Sequence, residues 1–202
     1  MWMQTGIGKL DILLGEVEPG STILIETVGT LGEEIAISTL FTNRENAVAF
    51  VTPKLSEEFE KKFGSEGIKL IVLGRDIHQQ ELYQISFTFR KLLRGSCVAF
   101  FILHPLLVFH PPEVVFKLFA EMVDITRETK GVMIIMIDKR LVDDRTLAMF
   151  ENYASHIIDI LEVLEGFKVI RGLRIKKSPI GGTGFYKFDI SKGKVIIGEP
   201  LE

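Results

Sequence analysis

The chain has 202 residues, with 24 Lys and Arg against 27 Asp and Glu, a formal net charge of −3, 47% hydrophobic residues and 25% charged ones. These values fit one folded domain with a substantial core and exclude a disordered chain or a surface given over wholly to nucleic acid. The lone Cys97 excludes an intrachain disulfide, and the longest apolar run, Cys97 to Phe109, is interrupted by His104 and Pro105 and is too short to span a bilayer.

Residues 1–6 lack a basic-then-apolar leader, so the reading is a cytoplasmic protein with no membrane partner. Residues 5–20 form a short amphipathic entry segment that ends in the Pro19-Gly20 turn. Ser21 to Glu26 is then a strand, apolar on both faces as a covered parallel sheet requires. Glu33 to about Asn43 is a helix with Ile35, Leu40 and Phe41 facing inward. Ala47 to Thr52 is a second buried strand stopped by Pro53, and a helix capped by Ser56 runs to Phe63 with Phe59 and Phe63 inward. Ile68 to Leu73 is a strand, and His78 to Arg94 a helix with Leu82, Ile85, Phe89 and Leu93 on one face.

Val98 to Leu103 is a continuous apolar strand, which places it centrally; it also holds Cys97 close by as a buried thiol. Pro111 opens a helix to about Thr129, Val132 to Ile137 is a fifth strand ending at Asp138, and Asp143 or Asp144 caps a helix to about Tyr153. After that the helices stop. His156 to Val163, Lys168 to Lys176, Gly184 to Ile190 and Lys194 to Ile197 are strands joined by tight turns. The expected architecture is one α/β domain over 1–202: an entry segment (1–20), a mainly parallel sheet covered by helices (21–153), and antiparallel C-terminal strands (154–202).

The strand, glycine-bearing turn and helix at residues 21–36 have the layout of a phosphate-binding loop. Such a loop reads G-x-x-x-x-G-K-[ST], with backbone N–H groups around the phosphates, Lys neutralising them and the hydroxyl on Mg²⁺. The corresponding window is Thr27, Val28, Gly29, Thr30, Leu31, Gly32, Glu33 and Glu34, with Glu33 at the Lys position and Glu34 at the hydroxyl position. Two unit charges about 4 Å apart interact by roughly 4 kcal/mol at an effective dielectric of about 20. Exchanging that attraction for a repulsion opposes a triphosphate, whereas two acids in a first helical turn favour the helix.

The order of parts resembles the KaiC-like branch of the RecA ATPase superfamily. Thr5-Gly-Ile-Gly-Lys-Leu-Asp11 with Leu14-Gly15 and Pro19-Gly20 is similar to that family's entry motif, and the phosphate-loop window follows as it does there. Leu173 to Ser178, Phe185 to Ile190 and Gly193 to Val195 are similar to its closing antiparallel strands. The chain also resembles a divergent branch found in hyperthermophilic archaea. The resemblance implies a RecA-like P-loop NTPase fold, ATP at subunit interfaces and ring-shaped oligomers.

It also implies an Mg²⁺-organising Asp at the end of the central strand and a water-activating Glu after the second strand. Phe100 to Pro105 offers Leu103 or His104 instead, and Thr52-Pro-Lys54 has no acid. With the Walker A Lys, Walker B Asp and catalytic Glu positions all filled otherwise, no catalytic residue is assigned and ATP with Mg²⁺ is not expected to bind in the ordinary way. The expectation is a non-catalytic binding, scaffolding or regulatory module with no cofactor or metal, whose partner is a second copy or another protein. The alternatives are an ATPase with a rearranged site, served by Lys9, Lys176 or Lys177, and a nucleic-acid-associated protein that uses the basic C-terminal strands.

Other residues carry open readings. Gly29 and Gly32 either bind an anion through their N–H groups or only make the turn. Asp138 sits where open α/β sheets place their ligand crevice, beside His104, or serves as a turn residue. Arg171, Arg174, Lys176, Lys177 and Lys187 concentrate charge on the closing strands: an interface contact, a nucleic-acid patch or a solvated strand face. The fifteen phenylalanines are mostly core, and an exposed subset would mark an oligomer interface.

Overall fold

Strand and helix alternate from Thr22 to Tyr153, and the short apolar runs rich in Val and Ile that turn residues bound form buried strands. The computed structural model describes residues 3–64 and 67–202. The elements are α1 (Gly8–Leu14), β1 (Thr22–Thr27), α2 (Glu33–Thr42), β2 (Ala47–Val51), α3 (Pro53–Phe63), β3 (Ile68–Val72), α4 (Leu82–Leu92) and β4 (Cys97–Phe100). Then come α5 (Leu103–Phe109), α6 (Pro112–Thr129), β5 (Val132–Asp138), α7 (Asp144–Tyr153), β6 (His156–Glu165), β7 (Lys168–Lys177), β8 (Tyr186–Ser191) and β9 (Lys194–Pro200).

All nine strands join one sheet in the order β3-β2-β4-β5-β1-β6-β7-β8-β9. The alternation of side chains along each strand divides the core in two. Ile23, Ile25, Ala49, Val51, Ile134 and Met136 pack under α1, α2 and α3, whereas Leu24, Phe50, Phe100, Met133 and Ile135 pack under α4 to α7. The α/β architecture with a mostly parallel sheet and an antiparallel end is the one the sequence predicts.

Some details differ. β6 is parallel to β1, and the antiparallel pairing begins only between β6 and β7, so the parallel part of the sheet extends past Tyr153. Ser56 does not cap a helix: α3 starts at Pro53, and the Thr52 hydroxyl accepts from the Leu55 N–H at 3.3 Å. Proline lacks the N–H that a first turn leaves unbonded, so it begins the helix instead of delaying it. The strand expected to reach Leu103 ends at Phe100, and Leu103 begins α5. An apolar run buried on all sides cannot by itself distinguish strand from short helix.

The entry motif proves structural. Asp11 Oδ1 accepts from both the Thr5 N–H and its hydroxyl, each at 2.7 Å, and the Thr5 carbonyl accepts from Ser38 of α2 at 2.9 Å. Gly6 has φ +77, and a Cβ there would lie 2.1 Å from the Thr42 hydroxyl. The motif thus docks the chain's start against α2, the helix that the phosphate-loop window feeds.

Candidate functional site

The phosphate-loop window connects β1 to α2, and its backbone donors are directed inward. Gly29, at φ +57, donates its N–H to Asp138 Oδ2 at 3.0 Å. The Gly32 N–H donates to the Thr27 hydroxyl at 2.8 Å, and that hydroxyl donates to the Gly29 carbonyl at 3.1 Å. Leu31 N–H bonds the Val28 carbonyl at 3.3 Å, and Glu33 N–H bonds the Thr30 carbonyl at 3.0 Å. A phosphate-binding loop works by presenting such N–H groups to an anion. Here four of them are occupied by the protein's own oxygens. Gly32 is required sterically, since a Cβ would approach Ile25 Cγ2 to 2.7 Å.

Asp138 and His104, both placed by sequence at a strand-end crevice, are joined directly. The Asp138 N–H donates to His104 Nε2 at 2.6 Å, which fixes the His104 proton on Nδ1. Burial lowers the pKa of His104, in keeping with that neutral ring. The Asp138 carboxylate also accepts from Arg140: Nε and N–H to Oδ1 at 3.0 Å each, Nη2 to Oδ2 at 2.8 Å. Arg140 hydrogen bonds hold the Asp138 carboxyl down to about 2. An aspartate that is ionised, 4% exposed and bonded to Gly29 therefore occupies the position of an anion beside the loop.

Above the loop lies a cleft of about 550 Å³, lined by Thr30, Leu31, Glu33, Glu34, Thr52, Lys54, Leu55, Glu58, Phe101, His104, Pro105 and Ile190. It stands at the carboxyl ends of β1, β2 and β4, where open α/β sheets bind ligands. Its polar wall is acidic. Burial, then Glu58 and Glu34, push the Glu33 carboxyl up to about 7. Glu34 is 3.8 Å from Lys62 of α3. At the strand end of β4 the cleft meets Phe101 in place of a carboxylate. Among the described residues no three His, Cys, Asp or Glu side chains converge as a metal site.

The positive charges of the closing strands are largely consumed within the chain. Arg174 Nε donates to Asp159 Oδ2 at 2.8 Å and its guanidinium lies 4.7 Å from the Phe185 ring centroid. Lys176 bridges Glu151 at 2.5 Å and Glu26 at 3.3 Å. Arg171 pairs with Glu162 and Asp189, and Lys177 donates to the Glu151 carbonyl at 3.3 Å. Lys187 lies on β8 beside Gly198. The five do not form one open basic face.

Sequence reasoning missed the acids that these cations hold. Glu26, fully buried one residue before the loop, is pushed up to about 8 by burial first and then by Glu151. Lys176 is nearer Glu151, so the charge rests on Glu151 and the proton on Glu26. Asp159, 4% exposed, receives both Arg174 and Lys139. Glu26 and Asp159 are paired across β1 and β6. Each is the one acid inside an otherwise apolar strand core, and that is the signal that could have found them.

Strand order, two helical layers and the β1–loop–α2 unit together define a fold that 440 solved chains match. Among these is the crystal structure of the KaiC-like protein PH0186 from the hyperthermophilic archaeon Pyrococcus horikoshii OT3, with a TM-score of 0.78, 16% identity and 98% of each chain covered. At that identity the likeness is one of fold. No protein-family model matches the sequence. No curated protein matches it either. Among the described residues no helix is long and apolar enough to cross a membrane.

Proposed function

We propose that the chain is a non-catalytic RecA/KaiC-like domain that has lost ATP hydrolysis and acts in the cytoplasm as a binding, scaffolding or regulatory module. Its partner is a second copy of itself or another protein. The observation that carries this reading is the internal saturation of the loop: Gly29 N–H on Asp138 and Gly32 N–H on Thr27, with Glu33 where a lysine would meet phosphate. A nucleotide would have to displace a charge-assisted bond to an ionised aspartate and then sit against an acidic wall.

Cations that could replace the lysine are directed elsewhere. Lys9 donates to the Gly198 carbonyl and lies over the Tyr186 ring, and Lys176 is held between Glu26 and Glu151. Lys54 does line the cleft, but Glu33, Glu34 and Glu58 line it too. Titration calorimetry with Mg-ATP tests the reading. The expected result is no saturable heat; micromolar binding accompanied by phosphate release that a Glu33→Ala change abolishes would overturn it.

A further inference from the structure

Side-chain alternation gathers six charged groups under α7. Glu26 shares the face of Leu24 on β1, and Asp159 that of Ile157 on β6, the face that α4 to α7 cover. On β7, Leu173 and Ile175 turn to the opposite layer, which leaves Arg174 and Lys176 on this one. Lys176 Nζ lies 3.3 Å from Glu26 and 2.5 Å from Glu151 of α7. Asp159 takes Arg174 at 2.8 Å and Lys139 at 2.5 Å. On the other side of Glu26 the β5 neighbour is Ile137, which brings no charge, and Lys177 donates to the Glu151 carbonyl.

The cations are unevenly shared. Asp159 has two, whereas Glu26 and Glu151 share the one ammonium of Lys176 and hydrogen-bond each other. Two carboxyls in such contact bind one proton between them, because a buried pair cannot both ionise side by side. The partners differ in freedom: the Glu26 side chain, on a central strand, is 1% exposed, whereas that of Glu151, in the last turn of α7, is 22% exposed. The same turn rests on Phe116, whose ring centroid is 5.7 Å from that of Phe150 and 5.2 Å from that of Tyr153. Asp143 caps the start of α7 through the Thr146 N–H at 2.7 Å. Past its end, the Ser155 N–H and hydroxyl both donate to the Thr22 carbonyl at 3.0 Å and tie the chain to β1 again. The turn between these two anchors can open alone.

We propose that the proton shared by Glu26 and Glu151 is a latch: while it is bound, the last turn of α7 stays docked on β1 and β7, and its loss to water releases Glu151 and that turn. Glu26 is then left paired with Lys176 alone, and the Phe116 and Phe150 rings are uncovered. The latch stands apart from the phosphate-loop window and does not depend on whether nucleotide or a partner binds. Its direction follows from linkage. Burial, then Glu151, push Glu26 from 4.5 up to about 8 in the closed form. The closed turn therefore holds the proton more tightly than the open one. Opening becomes easier as pH rises from 4.5 to about 8 and changes no further above that.

Amide hydrogen exchange of the full chain, read by NMR across mildly acidic to alkaline pH and corrected for the intrinsic rate at each pH, tests it. Protection of the amides from Phe150 to Ala154 should be lower than that from Leu118 to Met122 in α6. It should fall by roughly three- to tenfold for each unit of rising pH and level off above about 8. Glu26→Gln, neutral at every pH, should give a flat profile at those α7 amides. Glu151→Gln removes the second carboxyl, leaves Lys176 to Glu26 and should flatten it too; this variant carries the test if Glu26→Gln does not melt as the wild type does. A flat wild-type profile, the mark of ordinary end fraying, overturns the latch. Protection equal to that of α6 overturns it as well, because the turn would then open only with the whole fold. A slope that survives both substitutions assigns the proton to another group and overturns it.

Discussion

Replacing Asp138 by asparagine keeps an oxygen for the Gly29 N–H and removes the charge that Arg140 holds with three hydrogen bonds. A carboxyl lowered from 3.8 to about 2 contributes at most about 2.5 kcal/mol at neutral pH. Because Arg140 is 61% exposed, screening by water reduces this to about 1–2 kcal/mol. The sign follows from the depressed pKa: the contribution is present above the unfolded pKa near 3.8 and disappears as pH falls through about 2. Urea unfolding of wild type and Asp138→Asn at neutral pH and at stepwise lower pH measures it. The two curves should differ by about 1–2 kcal/mol at neutral pH and converge on acidification. Equal stability at neutral pH, or a difference that persists in strong acid, would refute the reasoning that the aspartate is an ionised clamp on the loop.

Thr27→Val deprives the Gly32 N–H of its acceptor and should cost about 1–2 kcal/mol in the same assay. Glu33, raised to about 7, binds its proton more tightly folded than unfolded, so stability falls as pH climbs from 4.5 through about 7. Glu33→Gln should therefore raise the unfolding free energy under mildly alkaline conditions, by on the order of 2 kcal/mol at most, and change little in acid. Because Glu26 carries a proton at neutral pH, Glu26→Gln should cost under about 1 kcal/mol, while Lys176→Met, which leaves Glu151 and Glu26 facing each other, should cost about 2 kcal/mol. Denaturant titration of both variants decides the order, and a Glu26→Gln penalty exceeding that of Lys176→Met would place the charge on Glu26 instead.

The fold was legible because the relevant signals are local. Ile23 to Ile25, Ala47 to Val51 and Val132 to Ile137 are apolar on both faces, and only a sheet with two helical layers buries them so. The parallel placement of β6 was not legible, because strand direction depends on where α7 returns the chain, which no residue of His156 to Val163 encodes. Glu33 and Glu34 could be read as acids opposing phosphate, since motif spacing alone locates them. The clamp could not: Gly29 and Asp138 are 109 residues apart, and their hydrogen bond exists only because β5 pairs with β1. The ion pairs of the basic C-terminal run were not legible for the same reason, since Arg174 and Lys176 meet Asp159, Glu26 and Glu151 only after β6, β7 and α7 assemble.

The most direct measurement follows the Gly29 and Gly32 backbone amides by ¹⁵N NMR during addition of Mg-ATP. With both donors already committed to Asp138 and Thr27, their resonances should remain in place through saturating nucleotide and exchange slowly with deuterium. Downfield movement of the two signals that saturates at micromolar Mg-ATP would mean that the loop opens to phosphate, and would contradict the account.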